Sequence, residues 1–456
     1  MMYKAHWLTG SGLALLMSLA CAAAEKQHTT GTGGSEEEGG SGGETTGGKT
    51  GTGGKTGTGG AGTGGADGGS GGAGSGGADD GSGGDSAGGA TGGGDGGGEK
   101  GKGEVGPAGF AGWKYTRSIK MDTTAAGAGV MGNVASYPVA VVLGMANFDF
   151  TQAKPDGGDV RFGKSDGTPI PYAKESFDAA GKTAVFWVSI AEVKGNDAAQ
   201  AFNMYWGKAD AGDASDSKKV FSAANGFVGV WHLAEDGATT AGAFKDASES
   251  GLDGTGVNLA AGALVPGAIG KGIKMLNAMR QWVKVDDAMM KFRPANMTVS
   301  IWGWADGFPA KWGSGGSPGY QTIYSSGEGW TIQRETGAKF ESCINQNCAI
   351  GAGMQTKQWV HFILTRAGGS QSLYMNGAKV AGGGAANRAD AKPLGIGQQT
   401  QYLDPVANVN EQRSWEGILD EARVMNKVVS ADWIKLEFES QKPGSKFLVH
   451  GMTQTR

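Results

Sequence analysis

Carboxyl pairs are the first residues to test for chemistry. Retaining cleavage of a glycosidic bond needs two acids about 5 Å apart, and alternate residues of a strand share a face that could supply them. No Glu-x-Asp occurs after Pro107. Glu437 and Glu439 have alternate spacing, but they fall in a stretch that reads as helix, where that spacing separates them. Asp420 and Glu421 are adjacent in strand text, so they should point to opposite faces. Their expected role is structural, pairing with Arg423 at a sheet edge. His232 and His361 sit in apolar strand text and are expected to be packed or hydrogen-bonded. There is no Gly-x-Ser-x-Gly turn in a strand-to-helix context and no HExxH helix. No catalytic residue is assigned, and the chain is not expected to be an enzyme.

Binding chemistry has better candidates. Tyr320, Glu328, Trp330 and Arg334 lie close together in loop-like text, where an aromatic face could stack on a sugar ring and charged groups could fix its hydroxyls. The competing reading makes Trp330 a core aromatic of a strand continuing through Thr331 and Ile332. Trp282 poses the same choice: alternation places it with Lys284 on an outer face or rim.

There are three cysteines, Cys21, Cys343 and Cys348. Cys343 and Cys348 bracket Ile-Asn-Gln-Asn, a turn-prone tetrapeptide that could close a hairpin and join the sulfurs. That pairing leaves Cys21 alone. It follows a lysine, an apolar run and small residues, the arrangement of a secretory signal. Two cleavage readings compete: ordinary signal peptidase acting among the alanines, or lipidation of Cys21. The second is similar to a bacterial lipoprotein site with Ala20 before the cysteine, although Ser18 and Leu19 depart from the usual order.

The elements that must carry these residues are confined to the last 350 or so positions. Of 88 glycines, 39 fall in residues 31–106, which contain no Phe, Trp or Tyr and so cannot build a core. Such a chain is a flexible tether spanning ~50 Å root-mean-square. The tether carries eleven acids against four lysines, leaving the remainder near neutrality, so no nucleic-acid partner is expected. After Trp113, short β-branched or aromatic runs such as Val139–Leu143 and Ala184–Ile190 alternate with Gly, Asp and Pro. These are strand signals. One short helix is expected after Ser430, which would cap it, with Trp433, Ile434 and Leu436 on its apolar side.

Two family resemblances follow. Gly112-Trp113-Lys114-Tyr115, Tyr137-Pro138-Val139, Gly158-Asp159-Val160-Arg161-Phe162 and Met204-Tyr205-Trp206-Gly207 resemble the bacterial domain-of-unknown-function family 2341. Val230-Trp231-His232-Leu233, Ser300-Ile301-Trp302, Trp359-Val360-His361-Phe362, Tyr374-Met375-Asn376-Gly377 and Asp420-Glu421-Ala422-Arg423 resemble the laminin-G-like branch of the concanavalin A-like lectin and glucanase superfamily. The resemblances imply an all-β chain of two β-sandwich modules, the second a jelly roll. The organisation expected is a signal peptide (1–24), disordered tether (25–108), first sandwich (109–215), jelly roll (216–440) and C-terminal tail (441–456). The second resemblance also implies that calcium could bind at a sheet rim, with Asp246, Asp253, Asp404 and Asn410 as loop oxygens, each of which alone reads as a turn residue. Catalytic members carry Glu-x-Asp-x-Glu, which is missing here.

The function expected is recognition of a polysaccharide or other glycan by an exported protein, held at the outer membrane or cell surface by lipid, or else secreted. The alternatives are a structural or adhesive envelope protein with protein partners, and a glycan hydrolase using unfamiliar acids.

Overall fold

The computed structural model describes residues 108–236, 239–286, 291–308, 311–312, 317–327, 329–335, 339–386, 392–402 and 413–456. All of them belong to one of the two units into which the chain divides, residues 94–456. Cys21, the glycine-rich stretch, Glu328, Asp404 and Asn410 lie outside the described residues.

The first six strands are β1 (Tyr115–Met121), β2 (Val134–Gly144), β3 (Arg161–Gly163), β4 (Tyr172–Asp178), β5 (Thr183–Val193) and β6 (Ala201–Trp206). They form two antiparallel sheets, one ordered β2-β5-β4 and the other containing β1-β6-β3. In β5, Val185, Phe186, Trp187 and Val188 are all buried, with no polar alternation. A run of that kind needs cover on both faces. Phe186 meets Phe162 on one side, while Trp187 meets Phe221 and His232 on the other, so the second sandwich supplies half the cover.

That second sandwich begins after a one-turn helix, α1 (Ser217–Val220). Its strands are β7 (Phe227–Trp231), β8 (Thr255–Val257), β9 (Leu264–Pro266), β10 (Lys271–Met275), β11 (Trp282–Val285) and β12 (Asn296–Ala305). A small hairpin, β13 (Lys311–Trp312) and β14 (Ser317–Pro318), precedes β15 (Gln321–Ser326), β16 (Trp330–Arg334), β17 (Lys339–Ile344) and β18 (Asn347–Gly353). Then come β19 (Trp359–Ala367), β20 (Ser370–Met375), β21 (Ala378–Gly384), β22 (Leu394–Ile396) and β23 (Gly417–Met425). An eight-stranded sheet runs β21-β20-β19-β12-β23-β10-β9, with β7 also on β23, and a seven-stranded sheet runs β18-β17-β16-β15-β22-β11-β8. Their inner faces share one apolar core that includes Trp231, Val299, Ile301, Trp330, Phe340, Phe362 and Leu419. Asn376 and Gly377 both take positive φ between β20 and β21, as a tight Asn-Gly hairpin requires.

The helix expected after Ser430 is α2 (Ala431–Gln441), and the Ser430 side chain accepts from the Trp433 amide at 3.1 Å. The residues beyond it are not a tail. The chain continues into β24 (Leu448–His450) and β25 (Gln454–Thr455), both antiparallel to β1 in the first module's sheet. Phe447 enters the same core as Ile119, Met204 and Trp206, and Trp433, Ile434 and Leu436 of α2 join it. The last residues read as polar text with little apolar spacing, so their pairing is set by the long-range edge of β1 rather than by a local pattern.

Candidate ligand-binding face

The seven-stranded sheet has one apolar and one polar face. Trp330, Ile332, Phe340 and Ile344 point into the core. Period-two alternation then turns Thr331, Gln333, Glu341 and Cys343 outward. Register aligns them across four strands: Thr322 opposes Gln333, which opposes Glu341, and Thr331 opposes Cys343, which opposes Cys348. A solvated face would leave such side chains exposed, yet Gln333 and Glu341 are only 4% and 5% exposed. They line a cleft of ≈ 200 Å³ together with Tyr320, Thr331, Gln346, Gln399, Gln401, Arg413 and the Cys343–Cys348 pair. The two sulfurs are bonded, and they sit directly opposite each other on β17 and β18.

Within the cleft, Gln333 Nε2 donates to Glu341 Oε1 at 2.7 Å. Burial pushes the Glu341 carboxyl above its ordinary range despite that bond, and the nearby Glu335 charge adds to the effect. The Arg413 guanidinium lies 4.6 Å from the Tyr320 ring centre and donates to Gln399 Oε1 at 2.7 Å. Gln333 Oε1 and Thr322 Oγ1 are buried with no hydrogen-bond partner among the described residues. Such groups cost roughly 1–3 kcal/mol each unless something satisfies them. A larger cavity of ≈ 620 Å³ opens in the first module over Met121, Ile170, Ile190 and Phe202, with Lys164 and Lys194 at its rim. Its main amide is satisfied internally, because Gln200 bonds both to the amide and to the carbonyl of Lys194. The smaller cleft, with convergent and unsatisfied polar groups, is therefore the better binding candidate.

Of the four aromatic and cationic residues nominated from sequence, Tyr320 lines this cleft. Trp330 does not: it is 1% exposed, its indole N–H is on the Phe292 carbonyl, and its ring meets Tyr324 inside the core. Arg334 also turns inward, over the Phe308 ring and onto the Gly319 carbonyl. Trp282 stands on the side of its strand shared with Lys284, as alternation predicts, but it is buried and offers no open stacking face. Gln333, Glu341, Gln399 and Arg413 were missed. The signal available was the alternation in β16 and β17, where Gln333 directly follows core-facing Ile332 and Glu341 directly follows core-facing Phe340. The calcium candidates that are described serve their own loop. Asp246 accepts from the amides of Val230, Ser248 and Leu252, all at 2.9 Å. Asp253 accepts from the Asp246 amide and from Lys245 Nζ.

Three of the acids considered for catalysis, Asp420, Glu421 and Glu437, meet elsewhere, on the outer face of the eight-stranded sheet, where the first module and α2 cover it, while Glu439 pairs with Lys442 at 2.5 Å. Here β23 carries a bulge: Glu421 and Ala422 occupy the place opposite Ile301 alone, and Glu421 takes φ 52°. The bulge breaks the alternation, so Asp420 and Glu421 both act on Glu175 of the first module instead of facing apart. Since β23 lies inside its sheet, the expected edge position is also corrected. Glu421 takes His232 Nδ1 at 2.8 Å and Arg423 Nη2 at 2.8 Å. Arg423 also reaches Glu437 at 3.4 Å and lies 4.4 Å from the Trp187 ring centre. Trp187 Nε1 donates to Glu175 at 2.8 Å, and Ser300 Oγ donates to Glu437 at 2.9 Å.

Burial tends to lower the His232 pKa, but the Glu421 and Glu175 carboxylates outweigh it and raise it to about 8. Burial raises Glu175 and Asp420 well above ordinary carboxylates, whereas Glu421 is kept low by His232 and Arg423 against its burial. His361, stacked on Trp302 at 4.7 Å, is pushed by burial down to about 3. The cluster is an internal joint between the modules.

Two family models match the chain, one after the other. Residues 156–256 match the family model described as Domain of unknown function (DUF2341), and residues 277–435 match that of the Concanavalin A-like lectin/glucanases superfamily. No curated protein matches the chain. Among solved structures, domain 4 of AbnA, a GH43 extracellular arabinanase from Geobacillus stearothermophilus in complex with arabinotriose, is similar at 15% identity and TM-score 0.34, over 46% of this chain and 97% of that one. Trypanosoma rangeli sialidase aligns at 13% identity and TM-score 0.36, over 47% of this chain and 33% of its own. The binding domain of Paraclostridial Mosquitocidal Protein 1 aligns at 13% identity and TM-score 0.34, over 46% of this chain and 52% of its own. The chain thus spans nearly all of the first, a third of the second and about half of the third.

Proposed function

We propose that this is a non-catalytic recognition protein that takes a glycan on the outer face of its seven-stranded sheet. The observation that supports the reading most directly is a buried polar row lining a cleft, with Gln333 Oε1 left as an unsatisfied acceptor among the described residues. Sugar hydroxyls both donate and accept, so they suit a surface of glutamines, threonines and one carboxyl. The match to the concanavalin A-like lectin and glucanase superfamily is consistent with the same ligand class, although fold membership alone does not establish binding. The sequence around Cys21 supports export and attachment by lipid at the outer membrane or cell surface, with the glycine-rich stretch as spacer.

The test is a glycan array probed with the full-length chain, with calcium present and again with chelator. Retention on specific glycans without release of reducing ends is the expected result. Loss of retention in chelator would assign the calcium expected from the family resemblance. Release of reducing ends would replace the reading with hydrolysis, and no retention under either condition would move the search to protein partners.

A further inference from the structure

The chemistry of the cleft restricts which glycan can enter it. Resting on the recognition reading above, we infer that the site selects a neutral, hydroxyl-rich sugar unit and rejects uronate, sialate and sulfated glycans. Gln333 directs its Nε2 hydrogen to Glu341, which leaves Oε1 as a buried acceptor facing no donor among the described residues. The Thr322 hydroxyl beside it is likewise without a partner. Whatever occupies this end of the cleft must bring an O–H or N–H hydrogen to Gln333 Oε1. A carboxylate or sulfate brings only acceptors there.

Electrostatics act in the same direction. Glu341 is negative whenever ionised, so an anionic ligand would meet both its charge and an unpaired acceptor. The cleft's arginine among the described lining residues, Arg413, is held on Gln399 and over the Tyr320 ring, and its charge already offsets that of Glu341, leaving none over for an anionic ligand. Two carboxylates brought close together disfavour each other. At ≈ 200 Å³ the cleft is smaller than the ~300–1,000 Å³ of pockets that enclose drug-sized ligands. It has room for a single sugar ring, so recognition is of one residue or a chain end and not of a long buried segment.

The experiment titrates the full-length protein with arabinan, mannan and dextran as neutral probes, and with polygalacturonate, polysialic acid and heparin as acidic ones. Binding to at least one neutral probe, at least about tenfold tighter than to any acidic probe, is expected from one unsatisfied buried acceptor. Equal or tighter binding of an acidic probe overturns the selection while leaving glycan recognition intact. Absence of binding to all six overturns the recognition reading and the selection with it. Two variants localise the effect. Gln333→Leu removes the acceptor and should weaken neutral binding about tenfold. Glu341→Gln keeps the shape and removes the charge, so it should retain neutral binding and reduce the discrimination against polygalacturonate. If Gln333→Leu does not fold, Glu341→Gln decides alone: unchanged discrimination in that variant overturns the electrostatic half of the argument.

Discussion

The two outer faces of the second sandwich are built from the same materials and end differently. Each carries polar side chains sunk below the surface. On the eight-stranded sheet they are covered by the first module and α2, and most of the charged groups have a partner: Glu421 with His232 and Arg423, Glu437 with Ser300 and Arg423, Glu175 with the Trp187 indole. On the seven-stranded sheet a cleft takes the place of that cover, and Gln333 and Thr322 have polar atoms with nothing to bind among the described residues. Burial of polar groups is common to both faces, so burial alone does not mark function. Both also leave polar atoms without a partner among the described residues, Glu175 Oε1, Asp420 Oδ1 and Arg423 Nε in the joint and Gln333 Oε1 on the other face. What separates them is access, because the first module and α2 close the joint whereas Gln333 lines an open cleft that a ligand can reach.

The comparison breaks most visibly at Arg423. Replacing it with methionine leaves Glu421 and Glu437 buried beside each other without their shared cation. A cost of about 3–5 kcal/mol is expected in denaturant unfolding. A loss below about 1 kcal/mol would mean that the joint is not held by its charges.

A smaller effect should come from pH. His232 has a folded-state value of about 8, above its ordinary 6.5, so its stabilisation is complete below about 6.5 and is lost as pH rises through 8. Glu175 and Asp420 act in the same direction, because folding favours their protonated forms and rising pH opposes it. Unfolding midpoints should therefore fall between pH 7 and 9, and His232→Asn should flatten that slope. A midpoint that climbs over this range would contradict the arrangement.

Smallest of all should be the stability change in Gln333→Leu. Deleting an unsatisfied polar group removes a penalty along with one bond, so stability should stay within about 1 kcal/mol. A loss as large as that of Arg423→Met would show that Gln333 is a structural residue, and the contrast between the faces would disappear.

Legibility in the sequence followed the range of the physics. The all-β class, the Asn376-Gly377 hairpin and the Ser430 cap depend on neighbours a few residues apart, and local text reveals them. Alternation correctly set Trp282 beside Lys284, but it could not show that the tryptophan would be covered. It misjudged Asp420 and Glu421, because a single bulge opposite Ile301 shifts the pattern by one residue and leaves no mark in composition. The cleft was only partly visible. Aromatic and charged residues attract attention as sugar contacts, so Trp330 and Arg334 were nominated over the plain glutamine between them. Yet the sheet's pleat sends the tryptophan to the core and the glutamine to the ligand side.

The pairing of β24 and β25 with β1 has a consequence in time. The first sheet joins residues near Tyr115 to residues near Thr455, so it closes only once almost the whole chain is available. Contacts that distant in sequence form late and slowly. Until then β1 has a bare edge, and the core seat of Phe447 is empty. Such edges invite pairing with other chains. A copy cut short before Leu448 would keep that edge bare, so β24 and β25 double as a guard against pairing with other chains.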